Sequence, residues 1–168
     1  MADQPSASAR QAFIDTFDRE TATTLEVLRA YPPAEAELKP APVLKTAREL
    51  VWMFSLELAL GMMALQDKLD MSGGLPPAPA GFDEVLSAFE KSRNAMLEMM
   101  RSGSADQFAG TVQFLTGPGQ FGDWDKMEFL WFLLHDHIHH RGQLSVYQRM
   151  AGGKLPSIYG PTADEPWY

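Results

Sequence analysis

The sequence predicts an all-α protein, a four-helix bundle with a crossover connection. Four stretches of the chain repeat apolar residues with the period of an amphipathic helix, and each is long enough for one bundle helix. Breaks rich in proline and glycine separate these stretches. A hydrophobic content of 45% and a charged content of 21% are typical of a folded domain. Because no repeat or linker divides the chain, residues 1–168 are predicted to form a single domain.

The first two helices lie on either side of a proline-rich break. The first is predicted over about Ala7 to Ala30, with one face formed by Phe13, Phe17, Thr21, Thr24 and Leu28. The stretch YPPAEAELKPAP then interrupts the helical pattern with four prolines. The second helix is predicted over Lys45 to Asp70, is the most apolar of the four, and stops at the SGG that follows Met71.

A long connection separates the last two helices. The third helix is predicted over about Phe82 to Arg101, after the segment LPPAPAG. The connection that follows is not helical by pattern, and its TVQFL stretch is predicted to be a short extended segment before a turn at GPG. The fourth helix is predicted over about Asp125 to Met150, with a glycine stop at GG. The length of the third connection permits a crossover rather than a simple up-down-up-down order.

Composition excludes several classes of function. The chain has no cysteine, so disulfides, thiolate zinc sites and cysteine nucleophiles are absent, and any metal must bind nitrogen and oxygen ligands. A formal net charge of -8 argues against a nucleic-acid partner, because phosphate binding depends on clusters of lysine and arginine. No apolar run approaches the ~20 residues of a membrane span. The N-terminal residues lack the pattern of a secretory signal, which favours the cytoplasm.

All four histidines lie in one six-residue window of the fourth helix, together with Asp136. Each residue advances about 100° around a helix, so residues four apart share a face. The apolar stripe of this helix consists of Phe129, Leu133, Leu144, Tyr147 and Ala151. Asp136 and His140 fall inside the stripe and His137 falls at its border, whereas His135 and His139 point away from it. We therefore expect Asp136 and His140 to face the core.

The second helix places a carboxylate on its own apolar face. Glu57 lies at the centre of that face, where a charge requires a cation or a hydrogen-bond donor. Glu57, Asp136 and His140 are therefore candidate ligands of an open metal site that leaves positions for water or substrate. The alternative is a buried polar network without metal, in which Glu57 accepts hydrogen bonds from His140 or Arg141.

The segment from Asp136 to Glu165, which contains HHRGQLSVYQRMAGGKLPSIYGPTADEP, resembles the C-terminal part of DinB/YfiT-family proteins. That family has an H-x-x-x-H-R-G-Q signature on its last long helix, followed by a P-x-x-Y-G tail. The resemblance implies a four-helix bundle with a crossover, frequent homodimers and a divalent metal held by three histidines. It also implies a link to mycothiol-dependent isomerases, bacillithiol S-transferases and damage-inducible members.

The resemblance departs from the family pattern at the ligands. His140 matches the final family histidine, but Asp136 stands where the preceding histidine would be. On the second helix Met53 occupies the histidine position, and Glu57 follows one turn later on the same face. An Asp/His/Glu set suits zinc, nickel, manganese or iron.

Two functions follow as hypotheses. The first is a metal-dependent enzyme of the thiol-dependent transferase, isomerase or hydrolase type, which acts on a small molecule and forms a homodimer. In it Glu57 is a ligand or general base, and Arg141 anchors an acidic substrate or serves as a structural ion-pair partner. A low-molecular-weight thiol is its expected cofactor besides the metal. The second is a non-catalytic stress-related binding protein with a degenerate metal site and no cofactor.

Overall fold

Four α-helices account for most of residues 6–168, the part of the chain that the computed structural model describes. In chain order they are α1 (Ala7–Arg29), α2 (Ala47–Leu65), α3 (Phe82–Ser102) and α4 (Lys126–Met150). An antiparallel hairpin of β1 (Thr111–Gly117) and β2 (Gln120–Asp125) lies between α3 and α4. The all-α class is therefore corrected to a mostly helical fold with a small two-stranded sheet. The stretch expected to be extended is β1, and its turn uses Gly119 at a φ of +68°.

Side-chain caps explain where α2 and α4 begin. The hydroxyl of Thr46 accepts a hydrogen bond from the Glu49 backbone amide at 3.2 Å, and the Glu49 carboxylate accepts from the Thr46 amide at 2.8 Å. The carboxylate of Asp125 accepts from two amides in the first turn of α4. At its other end α2 stops at Leu65 rather than at the expected Asp70, because Asp67 adopts a left-handed φ of 56°.

The packing order of the helices brings α4 into contact with both α1 and α2. The helices α3 and α4 each pack against both α1 and α2, and the hairpin packs against α4. A second, smaller apolar cluster lies beneath the hairpin and consists of Leu60, Ala64, Val112, Phe129 and Leu133. The inner face of α4 therefore lies against two other helices. Within residues 6–168 no helix has both the length and the apolar character needed to cross a bilayer.

The segment after α4 is irregular but fixed to the helices by polar contacts. Arg149 forms a 2.6 Å ion pair with Asp164, whose carboxylate also accepts from the Leu155 amide at 2.8 Å. Farther along this segment, the hydroxyl of Tyr159 reaches buried groups of α1 and α4. The C-terminal segment thereby covers one end of the polar interior.

Candidate metal centre

Glu57 is the central residue of the cluster. It lies in the middle of α2, is only 4% exposed, and faces α4. Its Oε1 atom lies 2.5 Å from Nδ1 of His140, and its Oε2 atom lies 3.1 Å from Nδ1 of His137. Both carboxylate oxygens therefore have an imidazole partner, which offsets the cost of burying a charge.

Asp136 and His140 lie one turn apart on α4 and complete the cluster. Oδ2 of Asp136 is 3.8 Å from Nδ1 of His140. One potential ligand atom from each of Glu57, Asp136 and His140 lies within 4.8 Å of the other two. The structure thus brings together the three residues that the sequence nominates as ligands.

The chemistry of this donor set fits a divalent metal. Two carboxylates and one imidazole are hard-to-intermediate ligands of the kind that zinc, manganese and iron accept. Ligand atoms about 2.1 Å from a tetrahedral ion lie about 3.4 Å apart. The separation between Asp136 and His140 is near that spacing, whereas the 2.5 Å separation between Glu57 and His140 is a direct hydrogen bond. Metal binding therefore requires that this contact lengthens and that its proton leaves.

Exposure increases across the cluster from Glu57 to Asp136. The side chain of Glu57 is 4% exposed, that of His140 15%, and that of Asp136 38%. Asp136 is therefore the most solvent-exposed member of the cluster, and Glu57 is the most buried. A metal held here would keep coordination positions open toward solvent, which is the arrangement of catalytic rather than structural sites.

The ionisation of His140 and Asp136 reflects their mutual contacts. The hydrogen bond to the Glu57 carboxylate raises the pKa of His140, and Asp136 adds to this effect, whereas burial and the Lys45 ammonium oppose it. Burial raises the pKa of the Asp136 carboxyl, and the neighbouring Glu57 charge raises it further against the opposing effect of His140. Both residues hold protons more tightly than usual, so metal binding at this cluster competes with protons.

His137 is a functional candidate that the sequence pattern did not identify. It is 2% exposed, and its Nε2 atom lies 2.9 Å from the Thr24 hydroxyl of α1, opposite its contact with Glu57. Its ring packs against the rings of Phe54 and Phe89, with centroids 4.7 and 5.8 Å away. The helical projection places His137 at the border of the stripe. Its burial comes from contacts with α1, α2 and α3, which a projection of α4 alone does not include. A polar Thr24 on the apolar face of α1 was the one available signal.

Arg141 forms a buried ion pair with Glu20. It is 1% exposed, and its Nη2 donates to Oε2 of Glu20 at 2.6 Å and to Oη of Tyr159 at 2.6 Å. The Tyr159 hydroxyl donates in turn to the same Glu20 oxygen at 2.7 Å. Of the two roles expected for Arg141, this geometry matches the structural ion pair, since the guanidinium does not reach solvent. Glu20 itself went unnoticed, although its spacing of three and four residues from Phe17 and Thr24 places it on the apolar face of α1.

Thr24 joins the two groups into one network. Its hydroxyl accepts from Nη1 of Arg141 at 3.3 Å and contacts His137 on its other side. Hydrogen bonds thus run without interruption from Glu57 through the core to Tyr159. The network holds side chains of α1, α2, α4 and the C-terminal segment in fixed positions.

The outward histidines lie apart from the cluster, as the helical projection predicts. His135 is exposed, with its ring 5.8 Å from that of Trp131, and His139 is exposed beside the Gln143 amide at 2.8 Å. Neither histidine is among the three residues that converge.

The fold and the cluster together place the chain in a class of protein. Its members are helical and carry a cluster of carboxylate and imidazole side chains between two facing helices. A sequence model of the DinB superfamily matches residues 16–144, a span that includes Glu57, Asp136 and His140. The chain therefore belongs to the DinB superfamily.

Similarity to individual proteins agrees with this assignment. The protein YrdA of Bacillus subtilis (strain 168) is 29% identical over 90 residues, which are 53% of this chain and 51% of YrdA, so the match spans about half of that relative's length. The crystal structure of a DinB-like protein from Bacillus cereus ATCC 10987 superposes with a TM-score of 0.73 at 21% identity, over 89% of this chain and 97% of that one. The DinB-like protein YjoA from Bacillus subtilis gives a TM-score of 0.67 at 19% identity, over 87% and 96%.

Proposed function

We propose that this chain is a metal-dependent enzyme that acts on a small molecule, with Glu57, Asp136 and His140 as the metal ligands. The observation that carries the proposal is the convergence of these three side chains within 4.8 Å, at the inner face of two helices and open to solvent on one side. Zinc, nickel, manganese and iron all suit this donor set.

Each residue of the cluster and its surroundings has a separate role in such a site. A divalent ion bound here supplies Lewis-acid chemistry, which lowers the pKa of an oxygen or sulfur group of the substrate. Oε1 of Glu57 serves as a ligand or accepts a proton from the substrate, while Oε2 stays fixed by His137. Asp136, the most exposed of the three, would be the ligand nearest to solvent. The buried Arg141 holds α1 against α4 instead of binding substrate.

The family adds two further parts to the proposal. A low-molecular-weight thiol is the expected co-substrate of a transferase or isomerase reaction, and the thiol sulfur is the group that the metal would activate. The proposed architecture is the four-helix bundle with a crossover connection: α3 and α4 each lie against α1 and α2, and the hairpin occupies the connection between α3 and α4. We also propose that the chain forms a homodimer.

The second candidate is a non-catalytic stress-related binding protein with a degenerate metal site. One observation favours it: both oxygens of Glu57 already have imidazole partners, so the polar network is complete without a metal. Such a network is stable because every buried polar group in it has a partner.

The metal content of untagged protein, purified without chelator, separates the two candidates. The proposed enzyme carries close to one equivalent of a divalent metal per chain, or gains it when zinc, nickel, manganese or iron is added. A protein that binds none of these ions at micromolar concentration is the non-catalytic alternative. An affinity tag must be removed first, because its histidines would bind metal themselves.

A further inference from the structure

A surface pocket of about 240 Å³ lies against His140. Its walls include Leu44 and Lys45 from the segment before α2, Leu50 from α2, and Gln143 and Tyr147 from α4. Because His140 lines this pocket, a ligand within it contacts the imidazole of the metal cluster. The volume is below the ~300–1,000 Å³ of pockets that hold drug-sized molecules, so the ligand must be small.

The pocket has an apolar wall and one cationic group at its rim. Leu44 and Leu50, together with Val43, form the apolar part. Lys45 is exposed, and its ammonium forms no ion pair or hydrogen bond with the described residues 6–168. The nearby Glu49 carboxylate is occupied by the Thr46 amide in the cap of α2. An anion at the rim would therefore meet a cation that has no internal partner.

The backbone of Lys45 is held at the pocket wall. The hydroxyl of Tyr147 donates to the Lys45 carbonyl oxygen at 3.0 Å, which ties the segment before α2 to α4. Lys45 and His140 thus line the same small pocket.

We propose that this pocket binds a small carboxylic acid with an apolar body, its carboxylate paired with Lys45 and its body against Leu44 and Leu50. One lysine beside apolar walls suits a monoanion better than a phosphate, which proteins bind with several donors. The inference deepens the proposed function, because it names the ligand class for the site that contains His140. Lys45 thereby takes the substrate-anchoring role expected of Arg141.

Benzoate, benzamide and inorganic phosphate are suitable probes, titrated into metal-free protein while the imidazole resonances of His140 are followed by NMR. We expect benzoate to bind about fivefold more tightly than benzamide, the scale of a charge pair at a solvent-facing rim. The Lys45→Met variant should lose this preference. The matched variant Lys39→Met, which removes an exposed lysine of the same connection that does not line the pocket, should keep it.

Equal affinities for benzoate and benzamide would overturn the proposal, as would a preference that survives in Lys45→Met. Phosphate binding as tight as benzoate, or binding that leaves the His140 resonances unmoved, would also overturn it. Because the titration uses metal-free protein, a failure of metal binding leaves its outcome unaffected. A protein that binds metal but not benzoate would retain the proposed function and lose this inference.

Discussion

At the scale of single residues, Glu57 is positioned by the two imidazoles that contact its opposite oxygens. His140 belongs to the cluster itself, whereas His137 is buried between Glu57 and Thr24 and has no place in the set of three ligands. His137 therefore contacts the Glu57 carboxylate but is not one of the three proposed metal ligands. Partners of this kind fix the direction in which a ligand points.

We predict that His137→Leu weakens metal binding by about 10- to 100-fold, the usual cost of removing a group that orients a ligand. His137→Asn should recover part of the affinity, because its amide can still donate to Glu57. Calorimetric titration with zinc measures both, and circular dichroism checks that the variants fold. His135→Leu is the matched control on the exposed face of the same helix. Equal affinities for the parent and His137→Leu would show that His137 has no positioning role.

The sequence predicts the orientation of a side chain where that orientation depends on a single helix. The 100° rotation per residue groups Asp136 with His140 and separates both from His139. The same projection leaves His137 at a border, because its burial is decided by Thr24 and Glu57 on other helices. Because hydrophobic periodicity describes one helix at a time, it does not predict contacts between helices.

At the scale of secondary-structure elements, α4 is the centre of the polar interior. Within about one turn it directs His137 and His140 toward α2 and Arg141 toward α1. The C-terminal segment then closes this end through Tyr159. The ion pair of Arg141 with Glu20 joins α4 to α1, and the hydroxyl of Tyr159 connects the C-terminal segment to both.

We predict that Glu20 makes stability depend on pH in the acid range. Burial raises the pKa of its carboxyl, but hydrogen bonds from Tyr159 and Arg141 more than offset this and lower the pKa below the ordinary 4.5. A lowered pKa means that the native state favours the charged form. The stabilisation is therefore present above about pH 4.5 and is lost as the pH falls through the lower native pKa.

Urea unfolding of the Glu20→Gln variant at several pH values tests the contribution of Glu20 to the pH dependence of stability. At pH 7 the variant should be less stable by about 3–5 kcal/mol, because Arg141 is left buried without its partner charge. As the pH falls below 4.5, the free energy of unfolding of Glu20→Gln should decrease less than that of the parent. Glu26→Gln, on the exposed face of α1, should behave like the parent. An acid dependence of Glu20→Gln equal to that of the parent would rule out this role.

Element boundaries were predictable where local signals exist. The Thr46 cap and the Asp125 cap agree with helix starts expected within two residues. The end of α2 was placed too late, because the apolar pattern continues past the turn at Asp67. The strand β2 was not expected, since its residues form a strand only by pairing with β1. Its short, exposed sequence carries little alternation of its own.

At the scale of the whole molecule, several large apolar side chains remain on the surface. Val43 is 91% exposed and Phe121 is 62% exposed. Further examples on other elements are Leu75, Leu115 and Val146. Association between chains can bury such side chains, and most soluble oligomers are symmetric homodimers.

We predict a homodimer at micromolar concentration, because association would remove part of this apolar surface from water. Sedimentation velocity measures the mass directly. Charged substitutions at two exposed positions on different elements, Val43→Glu and Phe121→Glu, identify which surface is involved, since only the one at the interface should yield monomers. A parent protein that sediments with the mass of one chain would contradict the prediction.

The most direct test of the metal site compares two adjacent histidines by thermal unfolding with and without zinc. Neighbouring residues differ by about 100° around α4, so His140 faces the cluster and His139 faces solvent. Zinc should raise the melting temperature of the parent and of His139→Ala, because a ligand bound only by the folded state stabilises it. The His140→Ala variant should show no such rise. A rise that persists in His140→Ala, or one that is lost in His139→Ala, would contradict the assignment of Glu57, Asp136 and His140 as the ligands.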